Sequence, residues 1–266
     1  MTASLLSLAL LAGFVVDHVD YGLDARQKLD ITRPQDAKAQ PVIIFLHGGV
    51  WQQGDHTQVA HVGLAFAARG FVTVTASYRL APQHRWPAQI EDAAAIVALV
   101  KEKATSWGGD PGKIFIVGHS AGAQLALVLL YDPQPLQRYQ LSARDISGIV
   151  ALSGVFDLRA PLDEHQADGG RARFVTPVFG ADLSTLQAAS PIAIAKKTGT
   201  PLLFITSNAD YSAMRKQSAL MAAAVGRLGE KAAVVVVDGP DHFQLVSHIG
   251  QPGDAVTDEV IQFLRR

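Results

Sequence analysis

The chain has 266 residues, 48% of them hydrophobic and 18% charged, with a formal net charge of −1. That balance excludes a disordered chain and leaves no basic or acidic block to attract nucleic acid or an anionic membrane surface. Cysteine is absent, which excludes disulfides, thiolate nucleophiles and cysteine-ligated zinc.

The first feature in chain order is an apolar run over 5–16, broken only by Ser7 and Gly13. It is too short to cross a membrane as a helix. It has the length of a signal-peptide core, but no positive charge precedes it and no clear small-x-small site follows. It reads as a short element packed on the domain in a cytoplasmic protein, with export as the alternative. Residues 15–32 predict an antiparallel opening pair, with a turn near Tyr21-Gly22 and a returning strand at 27–31.

From about residue 40 onward, short continuous apolar runs alternate with helical stretches. The runs lie at 42–46, 71–76, 114–117, 149–152, 202–206 and 233–237, and they suit strands buried on both faces of a parallel sheet. The helical stretches lie at about 57–69, 88–103, 121–131, 213–228 and 255–264. This alternation predicts one α/β domain over 1–266. Its core is a doubly wound, mostly parallel eight-stranded sheet with helices on both faces. The segment 157–190, rich in Gly, Asp and Pro, breaks the pattern and predicts a small lid-like insertion.

Three loops at strand ends carry the chemistry. Ile114-Phe115-Ile116-Val117 leads into Gly118-His119-Ser120-Ala121-Gly122 and then an alanine- and leucine-rich run. That is the strand, sharp turn and helix of a nucleophile elbow, with Ser120 as nucleophile. A serine hydroxyl needs a base, and the base needs an orienting acid. In this arrangement the acid and then the histidine follow the serine in the chain. His242 lies just past the 233–237 run and Asp210 just past 202–206. His248, Asp157, Asp238 and Asp241 are the weaker rivals. Third, Gly48-Gly49-Val50-Trp51 follows the 42–46 run, where a glycine pair turns backbone N–H groups inward. The expected oxyanion donors are Gly49 first, with Gly48 and Val50 in the same turn and Ala121 beside the nucleophile. Trp51 and His119 are expected at the substrate pocket, with plain packing as the alternative for Trp51, and His47 is expected to brace the glycine turn. His47, His56 and His61 are joined by no acidic cluster, so no metal is expected. Arg79 is expected to pair with a buried carboxylate such as Asp92.

These pieces together resemble an α/β-hydrolase of the hormone-sensitive-lipase-type, kynurenine-formamidase-like and feruloyl-esterase-like group. The resemblance rests on His47-Gly48-Gly49-Val50-Trp51 with Gly54-Asp55, Tyr78-Arg79-Leu80-Ala81-Pro82, Pro87 with Glu91-Asp92-Ala93, Gly108-Gly109-Asp110-Pro111, the elbow, Ser190-Pro191, Asp210 and His242-Phe243, in family order. It implies Ser120, Asp210 and His242 as triad, and Gly49 with Ala121 as oxyanion hole. It also implies a carboxylesterase without metal or organic cofactor, acting on a small-molecule ester. Val50 replaces the third glycine of the lipase-type members, and His-Gly-Gly-x-Trp resembles the formamidase-like pattern. Arylformamide or other amide hydrolysis is therefore the alternative activity, and a non-catalytic ligand-binding protein is a third reading. The lipase-type N-terminal cap is expected to be absent or tiny. That predicts an open site suited to short acyl or small aryl esters. No oligomeric state follows from the sequence.

Overall fold

The computed structural model describes residues 13–163 and 165–266. The expectation for 5–12 therefore lies outside the described residues, while Phe14 opens the first strand. Eight strands form one sheet: β1 (Phe14–Asp20), β2 (Lys28–Pro34), β3 (Gln40–Leu46), β4 (Val72–Ala76), β5 (Gly109–His119), β6 (Gly148–Leu152), β7 (Leu202–Ser207) and β8 (Ala232–Val237). Their spatial order is β1-β2-β4-β3-β5-β6-β7-β8. The β1/β2 and β2/β4 pairs are antiparallel, and every other pair is parallel.

The five helices of eight or more residues among the described residues are α1 (Ala60–Ala67), α2 (Ala88–Lys103), α3 (Ala121–Tyr131), α4 (Ser212–Arg227) and α5 (Ala255–Leu264). They cover both faces of the sheet, because alternate strand residues point opposite ways. Ile43 and Phe45 of β3 share one core with Val62 and Phe66 of α1 and with Val260 and Phe263 of α5. Val42, Ile44 and Leu46 share the other with Ile96 of α2, Leu125 of α3 and Met221 of α4. The central strands are buried on both faces and read as unbroken apolar runs for that reason. At the edge, β8 alternates instead, with Val234 and Val236 exposed.

Two boundaries differ from expectation. The elbow strand β5 begins at Gly109 rather than at Ile114, so it takes in Gly109-Asp110-Pro111. A register shift opposite Gln40 and Val42 absorbs the irregularity. The expected 57–69 helix opens as a 3₁₀ turn at His56–Val59, capped by Asp55, which accepts from Thr57 N at 2.9 Å.

Residues 157–190 fold into short helical turns at Arg171–Val175, Thr176–Phe179 and Leu183–Ala188. Val175, Val178, Phe179 and Leu186 are buried in the main core. The segment also touches the chain around the glycine turn, with Gln52 Nε2 donating to Arg173 O at 3.1 Å. In the parallel part of the sheet, registers such as Leu46↔Gly118, His119↔Leu152 and Ser207↔Val237 align the strand C-termini. The loops carrying positions 47–51, 120, 153, 210 and 242 therefore leave along one sheet edge, where such sheets bind ligands.

Candidate active site

Ser120 sits between β5 and α3 with φ 53° and ψ −113°. A side-chain-bearing residue in such a conformation costs on the order of 1–3 kcal/mol and persists only where its surroundings fix it. The surroundings do so here. Ser120 N donates to Leu152 O at 2.9 Å, and Ser120 O accepts from Ala123 N at 3.1 Å. A Cβ on Gly118 would lie 2.5 Å from Gly122 O, and one on Gly122 would lie 2.1 Å from Leu46 O. Glycine is thus required on both sides of the serine by backbone crowding. Every residue of α3 is buried, so the helix behind the serine is fixed in the core.

The glycine turn packs directly on this elbow. A Cβ on Gly48 would meet His119 Nδ1 at 2.7 Å and Ser120 Cβ at 3.1 Å. Gly49 has φ 110°, Val50 49° and Trp51 58°. Gly49 O accepts from Gln52 N and Gln53 N, both at 3.0 Å, which closes the turn. The N–H groups of Gly49, Val50 and Ala121 have no hydrogen-bond partner among the described residues. Ala121 opens α3, where helix N–H groups are unpaired by construction and the helix dipole is positive. His47 braces the turn from below. Its ring stacks on Tyr78 at 4.4 Å, its Nδ1 lies 2.6 Å from Gly48 O, and Tyr78 Oη donates to His47 O at 2.8 Å.

Asp210 and His242 are brought together by the β7 and β8 loops. His242 Nδ1 lies 2.9 Å from Asp210 Oδ1. Tyr211 N donates to Asp210 Oδ1 at 2.7 Å, and Thr206 Oγ1 to Oδ2 at 3.1 Å. Burial pushes the Asp210 carboxyl up in pKa, but hydrogen bonds from His242 and Ser153 outweigh it and hold the group below its ordinary value. Ser153, just past β6, belongs to no motif that the sequence displays. It is fully buried, has φ 49°, donates its hydroxyl to Asp210 Oδ2 and lies 3.0 Å from His242 Nδ1. Its single hydroxyl proton goes to the carboxylate, so its oxygen accepts from His242 Nδ1–H. Both neighbours of Nδ1 are then acceptors, which keeps the proton on Nδ1 and the Nε2 lone pair free.

The Ser120 hydroxyl makes no hydrogen bond to His242 among the described residues; such nucleophile–base contacts are commonly long until substrate binds. The two loops are linked through His119, the residue before Ser120. Its ring lies 4.7 Å from that of His242, and its Nε2 donates to His242 O at 2.9 Å. His119, expected at the substrate pocket, thus ties the histidine loop to the elbow. Trp51 fits the packing alternative. It is wholly buried, donates Nε1–H to Gln124 Oε1 at 2.9 Å and packs edge-on against Phe179. An indole with its N–H satisfied inside the core has no reason to face substrate.

The rival carboxylates are engaged elsewhere. Asp241 caps Phe243 N and Gln244 N, Asp157 pairs with Arg159, and Asp238 accepts from Asn208. His56 and His61 serve Ser77 and Val246 O separately. Arg79 grips the buried Asp92 through Nε and Nη2, as expected.

Burial pushes His47 down to about 4, and burial with the nearby His242 pushes His119 to about 3. The unfolded chain takes up these protons near 6.5, so between about pH 6.5 and 4 it binds more protons than the folded chain. Stability therefore falls as the pH is lowered through that window. The loss reaches several kcal/mol, since each tenfold difference in proton affinity is worth about 1.4 kcal/mol. The urea midpoint should drop steadily from pH 7 to 4.5. A flat midpoint from pH 7 to 5 would contradict burial of two neutral imidazoles.

The BD-FAE family model matches residues 29–225. The chain belongs to the BD-FAE family. Esterase LipC of Mycobacterium tuberculosis is 32% identical over 205 residues, covering 71% of this chain and 50% of LipC. The probable isoprenylcysteine alpha-carbonyl methylesterase ICME of Oryza sativa subsp. japonica is 28% identical over 241 residues, covering 86% of this chain and 58% of its own length. The chain thus spans about half the length of the curated relatives it matches. Esterase B of Lactobacillus Rhamnosis superposes with a TM-score of 0.83 at 19% identity, covering 95% of this chain and 85% of that one. The hyperthermophilic esterase of Pyrobaculum calidifontis superposes at 0.78 with 25% identity, covering 94% and 84%. The BD-FAE chain therefore has the α/β-hydrolase fold expected from its motifs. No helix among its described residues is long and apolar enough to cross a membrane.

Proposed function

We propose that this BD-FAE protein is a serine carboxylesterase that hydrolyses short-chain acyl or small aryl esters through an acyl-enzyme. The observation that carries the reading is the Asp210–His242 pair at 2.9 Å, seated on the same sheet edge as the Ser120 elbow. Ser120 Oγ attacks the ester carbonyl while His242 Nε2 takes its proton. The oxygen that gains negative charge is received by the N–H groups of Gly49 and Ala121, with Val50 in reach of the same turn. Gly48 fits the turn as a packing point against His119 and Ser120 rather than as a donor. His242 then protonates the leaving alcohol, and a water deprotonated by the same ring releases the acid. Asp210 holds the ring in the Nδ1–H form and stabilises the imidazolium. The segment 157–190 covers the flank of the glycine turn within one domain.

Pockets select by buried apolar contact. Trp51, the large apolar side chain of the glycine turn, is wholly buried in the core, so the turn offers an extended acyl chain little apolar wall and suits a short one. The test is a series of 4-nitrophenyl esters from acetyl to dodecanoyl, run beside N-formylkynurenine. Turnover should peak between acetyl and butyryl. A peak at long acyl chains would overturn the chain-length reading, and faster turnover of the formamide would overturn the esterase reading.

A further inference from the structure

Most large apolar side chains of this protein are inside it, yet two exposed aromatic rings stand against the ring of His242. Tyr211 is 55% exposed and Phe243 64%. The Tyr211 ring lies 5.2 Å from the His242 ring at 47°, and the Phe243 ring lies 5.6 Å away at 85°. The two come from different loops, after β7 and after β8, so their convergence is a property of the fold and not of sequence adjacency. Both backbones are pinned. Tyr211 N donates to Asp210 Oδ1 at 2.7 Å and Tyr211 O accepts from Arg215 N at 3.1 Å. Phe243 N donates to Asp241 Oδ1 at 2.9 Å and Phe243 O accepts from Ser247 N at 3.0 Å. The chain positions that carry the rings are therefore fixed, while the rings themselves stay uncovered. The buried His119 ring also packs against His242, 4.7 Å away.

Exposed aromatic surface beside a reactive group is informative in a way that a scattered surface leucine is not. We infer that Tyr211 and Phe243 form a subsite for an aromatic alcohol portion of the ester, on the leaving-group side of the reaction. The inference rests on the esterase reading above. In that mechanism His242 hands its proton to the leaving oxygen, so the alcohol sits at this imidazole, beside the two rings that touch it. A planar aromatic group meets such rings in offset or edge-on contact, which a saturated group of equal size does not reproduce. The glycine turn lies against Ser120, so the acyl side is set by a different part of the site.

The test compares kcat/KM for phenyl acetate, cyclohexyl acetate and ethyl acetate in the wild type and in variants. In the Tyr211→Ala, Phe243→Ala double variant the phenyl-to-ethyl ratio should fall at least fivefold, and the phenyl-to-cyclohexyl ratio should fall with it. Phe243→Leu, which keeps apolar bulk and removes the ring, should lower the phenyl-to-cyclohexyl ratio in the same direction. Tyr211→Phe should preserve both ratios. Ratios that stay within twofold in the double variant overturn the subsite, and so does an equal loss for phenyl and cyclohexyl esters. A wild type that hydrolyses ethyl acetate, with the ratios unmoved in the double variant, keeps the esterase reading and loses the subsite; one that hydrolyses none of the three loses both.

Discussion

Ser120→Ala is expected to lower kcat for a short 4-nitrophenyl ester by roughly four to six orders of magnitude, the scale seen when a hydrolase nucleophile is removed. The substitution deletes one oxygen and leaves the elbow in place. Its backbone contacts are made by N and O, to Leu152 O and from Ala123 N and Gln124 N. The φ of 53° is no harder for alanine than for serine. Folding should therefore be retained, with an unchanged circular dichroism spectrum and a thermal midpoint close to that of the wild type. What remains after the loss is the activity of the donors at Gly49 and Ala121 acting on water attack. A folded variant with near-normal turnover would remove Ser120 from the mechanism altogether.

Asp210→Asn should lower kcat by about 10⁴ at neutral pH with a much smaller change in KM. The reason lies in proton placement. Asp210 offers its ring neighbour a pure acceptor, at 2.9 Å from Nδ1. An amide at this position carries both a donor and an acceptor, and Tyr211 N–H, which can only donate, keeps the oxygen at the Oδ1 position. The amide NH₂ then falls at Oδ2 and donates to Ser153, whose own proton turns toward Nδ1. The ring loses the charge that stabilises its imidazolium and is driven toward its Nε2–H form, which takes away the lone pair that the base needs. Ester binding does not depend on that proton, so KM moves little. A loss smaller than tenfold would mean that another group orients His242.

The nucleophile elbow is legible in the chain because its signal is local. A buried strand, two glycines around a serine and a helix are all consecutive, and the backbone crowding that demands Gly118 and Gly122 acts within a few residues. Asp210 and His242 are legible by a weaker rule, since parallel strands deliver their following loops to one edge. Ser153 obeys that rule too, because Ser-Gly directly follows the buried run 149–152. Its role depends on two other loops meeting it, and only the β6-β7-β8 neighbourhood supplies that. Trp51 escapes a sequence reading for the same kind of reason. Its partner Gln124 lies on α3, far away in the chain, and nothing beside Trp51 announces it. The segment 157–190 hides its buried Val175, Val178 and Phe179 because its helical turns are too short to express a period.

The crowding around the elbow has a consequence for how this scaffold can change. Leu46, Gly118 and Gly122 leave no space in which the serine can be moved, so its position is fixed by close main-chain contact. Tyr211 and Phe243, by contrast, hang from loop tips and can be exchanged without disturbing any packed neighbour of the sheet. Descendants of this gene could thus trade one diet for another by retouching the doorway, while the hearth behind it stays as it was.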